Sequence, residues 1–513
     1  MQFYRRLSFI YLLLLVQIAG FAQEDIMTTY AKTISQEDMR DLLGIIASDA
    51  MEGRETGERG QKMAAAFIAD RFKRIGLEPV IPNGERKSYY QRFSLERRIP
   101  GDTYIEVEGS KYNNIKDVLY IGKFSTSVPK SIPVVFAGDG SEEAFSNINV
   151  KDKGVVVAAP ANSAVRRSVS KRAYERGASM VFIEGTNDDS AFLRLIRRYG
   201  PNMTRSLGLS HKSESLEHGA FLIPPSLAAS ILKKTTAKYD AACKMVNEHD
   251  YSNLSDLNPG EALINVENHI QWVESENVLG YLEGSDKKNE LVLITAHYDH
   301  IGKNGKQINN GADDDGSGTT SVMEIAQAFT TAKAEGHGPR RSMLFMTVTG
   351  EEKGLLGSEY YTEHPVFPLE NTVVDLNIDM VGRVDESHTS TPDYVYLVGA
   401  DRLSSELNQL SEKTNQEFTH LDLDYTYNNE NHPDRIYYRS DHWNFAKHNI
   451  PIIFYFNGTH ADYHRPTDTI EKINFTEMQK RAQLVFYTAW VIANRNQRLI
   501  VDKLSETNGS SKH

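Results

Sequence analysis

Leu291-Val292-Leu293-Ile294-Thr295 runs without a break into Ala296-His297-Tyr298-Asp299-His300. An apolar run with no polar alternation is the pattern of a strand buried on both faces. Met343–Val348, Val373–Ile378, Tyr394–Val398 and Pro451–Phe456 are further near-continuous apolar runs of this kind. Helical periodicity follows several of these runs, through Val322, Ile325, Ala326 and Phe329, and later through Met478, Ala482, Phe486 and Ala489. Asn474 with Glu477 opens the last of these as an N-cap pair. Strand, loop and helix in repetition predict an α/β fold, a three-layer sandwich with a mainly parallel mixed sheet. Such sheets bind ligands beyond the carboxyl ends of their strands.

Polar clusters stand at those ends. His297-Tyr298-Asp299-His300 closes the first run, and Asn310-Gly311-Ala312-Asp313-Asp314-Asp315-Gly316-Ser317-Gly318 leads into a helix. Gly350-Glu351-Glu352 follows Met343–Val348, and Asn377-Ile378-Asp379-Met380 closes Val373–Ile378. Tyr463-His464 and Asp468-Thr469 come a few residues beyond Pro451–Phe456. Each cluster alone has a plain reading. A His-x-Asp pair can be a satisfied hydrogen bond, and three aspartates in a glycine-rich loop can cap a helix or hold calcium, though without the EF-hand's alternate spacing. Glu351-Glu352 can sit on a helix dipole. Together they would crowd carboxylates at the mouths of buried strands, where a divalent cation is the natural compensation. Imidazoles and carboxylates without thiolates suit zinc or a similar borderline cation.

Working outward, residues 35–76 read as two amphipathic helices around a turn, with Met39, Leu42, Leu43 and Ile46 in the first and Ala64, Phe67, Ile68 and Phe72 in the second. Between about 110 and 260 short β-rich runs such as Ile132–Phe136 and Val155–Val157 alternate with polar stretches, the texture of an inserted domain. The basic piece from Arg166 to Arg176 reads as a solvated helix face. At the start, Arg5 and Arg6 precede the apolar run Leu7–Ile18, and Gly20-Phe21-Ala22 offers small residues for cleavage, which predicts a signal peptide over 1–22 and an exported mature chain. The run is too short for a comfortable membrane span. Lys+Arg 57 against Asp+Glu 69 leaves a net charge of −12, which argues against nucleic acid as a partner. The single cysteine, Cys243, excludes an intrachain disulfide framework.

The clusters over 277–495 resemble family 28 of the metallopeptidases, the co-catalytic di-zinc aminopeptidases. Ala296-His297-Tyr298-Asp299-His300-Ile301-Gly302 is similar to the family's first ligand motif, and Asn310–Gly318 to its bridging-aspartate loop. Gly350-Glu351-Glu352, Asp379-Met380-Val381-Gly382-Arg383 and Tyr463-His464 with Asp468-Thr469 complete the set, and Met51-Glu52-Gly53-Arg54 resembles the segment preceding the family's domain. The resemblance implies two Zn2+ ions bridged by Asp314, with His297 and Asp379 completing one site and Glu352 and His464 the other. It also implies Glu351 as general base, Asp299 as the group orienting His297, and a cis peptide bond after Asp314. The middle segment is similar to a protease-associated domain. The domain plan is then 1–22 leader, 23–110 helical part of the peptidase domain, 111–261 inserted domain, 262–500 di-zinc domain and 501–513 polar tail.

The expected function is an exported zinc exopeptidase that removes N-terminal residues from peptides with a metal-activated water. A carboxypeptidase or dipeptidase of the same family would need a cationic pocket, for which Arg383, Arg439 and Arg465 are candidates. A single-zinc glutaminyl cyclase would depart from the bridging loop, and a non-catalytic receptor-like module would lack ligands or base; neither departure is found. Tyr298, Tyr437, Tyr438, Tyr455 and Phe456 are candidates for the substrate pocket, and Ser440-Asp441-His442 for a supporting role.

Overall fold

The computed structural model describes residues 26–503, apart from 123, 159–162, 204–205, 210–218, 253 and 258. The expected leader, 1–22, and most of the tail, 501–513, lie outside the described residues. The chain forms two compact units, one of residues 1–93 with 274–513 and one of Ser94–Val273.

In the first unit, helix α1 (Gln36–Ile46) starts where the Ser35 hydroxyl accepts from the Asp38 amide. Helix α2 (Arg59–Arg74) buries Ala64, Ile68 and Phe72, the apolar stripe read from the sequence. The strands are β1 (Asn268–Leu282), whose first residues belong to the other unit, β2 (Lys287–His297), β3 (Arg341–Val348), β4 (Thr372–Ile378), β5 (Tyr394–Val398), β6 (Asp422–Asp424) and β7 (Ile452–Phe456). Helices α3 (Gly318–Ala334), α4 (Leu356–Glu363), α5 (Ser405–Thr414), α6 (His442–Ala446) and α7 (Phe475–Asn494) follow the loops between them.

These strands lie in the order β1-β3-β2-β4-β7-β5-β6. The sheet is mixed. β3, β2, β4 and β7 run parallel to one another, β5 and β6 pair parallel, and β1 and β5 pair antiparallel with β3 and β7 respectively. Both faces are covered, as the unbroken apolar runs require. Val292, Ile294 and Ala296 of β2 join the core with α1, α2, α3 and α7, while Leu291 and Leu293 face the core that holds Tyr361 of α4 and Phe445 of α6. The four mutually parallel strands end side by side, and their carboxyl ends carry the polar clusters.

The second unit holds an eight-stranded mixed sheet. Its strands Lys130–Phe136, Gly154–Val157, Met180–Glu184 and Ala220–Ile223 pair in parallel. Helices Ser163–Glu175, Asp189–Met203, Pro225–Ile231 and Thr236–Asn247 accompany it, so the unit is α/β in character. The segment expected as an insert, 111–261, falls inside it.

Candidate metal centre

His297 is the last residue of β2, and Asp379 directly follows β4. Glu351 and Glu352 sit in a tight turn past β3, entered through Gly350 at φ 73. Asp314 lies in the loop that opens α3, and His464 follows β7. Met380 and His464 both adopt left-handed backbone, at φ 58 and 55. Such residues cost on the order of 1–3 kcal/mol each, and the surrounding packing must hold them. The Asp314–Asp315 peptide bond is cis.

These residues converge on one another. His297 Nε2 is 3.3 Å from Asp314 Oδ1 and 3.5 Å from Asp379 Oδ1. His464 Nε2 is 3.1 Å from Asp314 Oδ2 and 3.1 Å from Glu352 Oε2. Asp314 thus faces one imidazole with each of its oxygens. Two groups have the reach to hold an ion, His297 with Asp315 and Asp379, and His300 with Asp314 and Glu352. His297, Asp314 and Asp379 are buried, whereas the His464 side chain is 37% exposed.

The supporting residues explain why the loops hold their shape. The Asp468 carboxylate accepts from the amides of Asp313 and Asp314 at 3.0 and 3.2 Å. The Asp315 carboxylate accepts from the amides of His297, Gly318 and Met380, joining β2, α3 and the end of β4. Arg54 is fully buried and donates to the carbonyls of Ile46, Tyr298, Asn310 and Gly311. That explains in physical terms why an arginine stands in the segment before the first helix pair's second member.

Asp299 contacts His297 differently from the expectation. His297 Nδ1 lies 3.0 Å from the Asp299 backbone carbonyl and 3.8 Å from its carboxylate, so the carbonyl is the partner that fixes the ring. The carboxylate instead accepts from the Thr56 hydroxyl at 2.7 Å and from the Glu351 amide at 3.2 Å. Asp299 therefore reaches the turn that carries Glu351.

Charge at the site follows burial and proximity. Burial, with Glu352 and Asp379 nearby, holds the Glu351 carboxyl well above the usual carboxylate range, against the pull of His297. Burial works against charge on His464, yet the Asp314 and Glu352 carboxylates, each 3.1 Å from its Nε2, push it up to about 10. Asp314 Oδ2 and Glu352 Oε1 are buried with no hydrogen-bond partner among the described residues. Such atoms call for an explanation, and a cation supplies one.

Ser440, Asp441 and His442 serve the scaffold. Asn377 donates to the Ser440 hydroxyl at 2.9 Å, and Ser358 donates to Asp441. His442 is pushed down to about 3 by burial and lies with Nε2 2.8 Å from the Tyr437 carbonyl, which makes it a neutral donor there.

A cleft opens beside Glu351, lined by Met380, Ile436, Arg439, Phe454, Phe456 and Tyr463 among others. Of the aromatic residues expected in the pocket, Phe456 lines this cleft. Tyr298 is buried with its hydroxyl against Gln61 and the Glu276 carbonyl, and Tyr455 is core. Tyr437 packs under the Arg402 guanidinium, and Tyr438 against Trp443.

Residues 277–489 match the model of Peptidase family M28. Aminopeptidase YwaD of Bacillus subtilis (strain 168) is 27% identical over 219 residues, 41% of this chain and 43% of that protein. A probable leucine aminopeptidase of Trichophyton verrucosum (strain HKI 0517) is 31% identical over 215 residues, 40% of this chain and 55% of that protein. A vacuolar membrane protease of Aspergillus clavatus is 28% identical over 181 residues, 33% of this chain and 17% of that protein. The matches thus span from 17% to 55% of these relatives' lengths. Among solved structures, the aminopeptidase from Aneurinibacillus sp. strain AM-1 superposes with a TM-score of 0.59 at 18% identity, covering 93% of this chain and 98% of that one. A zinc aminopeptidase from Bacillus subtilis gives 0.51 at 17% identity, covering 92% and 98%. At these identities the likeness is one of fold. Among the described residues no helix is long and apolar enough to cross a membrane.

Proposed function

We propose that this chain is an exported zinc-dependent exopeptidase, an aminopeptidase that removes N-terminal residues from peptides. The observation that carries the reading is Asp314, whose two oxygens face His297 on one side and His464 on the other, at 3.3 and 3.1 Å. His297, Asp314 and Asp379 would hold one ion, and Asp314, Glu352 and His464 the second. The donor set suits zinc, and the unpartnered Asp314 Oδ2 and Glu352 Oε1 are the atoms a cation would satisfy. When bound, two such ions supply Lewis acidity toward water and the scissile carbonyl.

The chain's own groups do the rest. Glu351 Oε2, 4.0 Å from His297 Nε2, is placed to take the proton of the attacking water and return it to the leaving amine nitrogen. Asp299 positions that base through the Glu351 amide. Met380, Ile436, Phe454 and Phe456 offer apolar surface to a substrate side chain and exclude water from it. Chelation of the metal should abolish peptide hydrolysis, and zinc at two ions per chain should restore it. Undiminished hydrolysis by metal-free protein would overturn the reading.

Arg439 favours a second reading, because it lines both the cleft and its outer extension and would meet a substrate carboxylate there. Arg383 is taken up by Asp462 and Asp468. A carboxypeptidase or dipeptidase would use Arg439 in that way. The basic and apolar start of the chain supports export, to the periplasm or beyond. We read the unit Ser94–Val273 as the protease-associated-like insert, supported by its compact mixed sheet placed between the two parts of the peptidase unit in the chain.

A further inference from the structure

His300 stands three residues past His297, and no role was read for it from the sequence. It is fully buried, and neither ring nitrogen makes a hydrogen bond among the described residues. A buried polar atom left without a partner destabilises the fold, so an imidazole in this state calls for a partner of another kind. Other buried histidines of this chain do find partners. His388 Nδ1 is hydrogen-bonded to Asp385 at 2.8 Å, and His442, whose Nδ1 is also without a partner among the described residues, meets the Tyr437 carbonyl through Nε2.

What surrounds His300 is the second half of the metal centre. Its Nδ1 lies 2.8 Å from Glu352 Oε1 and 3.7 Å from Asp314 Oδ2. Its ring meets that of His464 edge to face, with centroids 5.7 Å apart. The ring is also pinned. The His300 amide donates to the Arg54 carbonyl at 3.2 Å, and a Cβ on Gly311 would come within 2.6 Å of His300 Cδ2.

We propose that His300 is a further protein ligand of the second metal site, acting through Nδ1 beside Asp314, Glu352 and His464. This rests on the two-metal reading above. It gives the second site two imidazoles and two carboxylates, against one imidazole and two carboxylates at the first, and imidazole is a favoured zinc donor.

The test is zinc content at equilibrium, with wild-type protein, His300→Gln and His300→Ala dialysed against buffers of fixed free zinc and metal counted per chain. Circular dichroism of each protein reports folding, and His300→Gln, closer in volume, decides if His300→Ala fails to fold. The expected result is two zinc ions in the wild type, and in the variants one ion at unchanged affinity with the other weakened at least about tenfold, the lower bound for loss of a group supporting a metal site. Wild-type affinity for both ions in the folded variants would overturn the proposal, as would equal weakening of both. A wild type that binds no zinc would overturn the two-metal reading itself, and this proposal with it.

Discussion

Glu351 carries the chemistry of the proposed reaction, and its substitution separates proton transfer from metal binding. It lies 4.0 Å from the nearest imidazole nitrogen and would hold no ion. Glu351→Gln should retain both metals and lose about 10²–10⁴-fold in kcat/KM, the range for removing a general acid–base group. Metal analysis beside steady-state kinetics checks this, and unchanged turnover would remove the assignment. Asp375 invites a different experiment. It sits in the middle of β4, fully buried, with Oδ1 2.8 Å from the Thr295 hydroxyl, which also lies 2.8 Å from Asn377 Oδ1. One hydroxyl proton cannot serve two acceptors, so a protonated Asp375 that donates to Thr295 completes the pattern. Burial pushes this carboxyl up to about 8. A carboxyl raised in the folded state holds its proton where the unfolded chain has lost it, so stability falls as pH rises from about 4 toward 8 and then levels. Asp375→Asn should therefore gain in Tm relative to wild type as pH climbs through that window. A difference that does not vary with pH would contradict the protonated assignment.

At the scale of elements, the centre is built on the ends of β2, β3, β4 and β7, and the loops between strand and helix are held by buried polar side chains. Arg54 does most for the loop that carries Asp314, since its guanidinium spans four carbonyls from α1, the end of β2 and residues 310–311. Lysine has no fork with which to span them. Arg54→Lys should cost about 3 kcal/mol or more in denaturant unfolding, since each charged hydrogen bond contributes about 1.5–3 kcal/mol and the carbonyls left behind are buried. Wild-type stability of that variant would show that the bonds carry no net weight. The strands and their polar ends were legible because the apolar runs are near-continuous and a His, Asp or Glu follows several of them within a few residues. His300, Arg54 and Asp375 were not. Arg54 meets Tyr298 across 244 positions, which no local pattern encodes. Asp375 hides in an apolar strand where a carboxylate would be unwelcome and a carboxylic acid is tolerated. The role of Asp299 was half legible, because spacing brings it near His297 while only folding shows that the backbone carbonyl, not the carboxylate, meets the ring.

Over the whole molecule, the polar centre draws its residues from the first unit alone. The border between the units falls inside the strands Tyr90–Pro100 and Asn268–Leu282, where hydrophobic texture leaves nothing to mark it. Removing metal should therefore loosen amides around 297–300, 312–318, 350–352, 379 and 464, with hydrogen exchange over 94–273 unchanged. Exchange rising mainly within 94–273 would place the metal elsewhere. The central claim is hydrolysis from the amino terminus by a two-metal centre. Its most direct test is mass spectrometry of one peptide with a free N-terminus and the same peptide acetylated, each incubated with zinc-loaded protein. We predict a ladder shortened residue by residue from the free N-terminus and an intact acetylated peptide. Loss of C-terminal residues from both would contradict the aminopeptidase assignment and move the specificity to the carboxyl end, where Arg439 would hold the substrate.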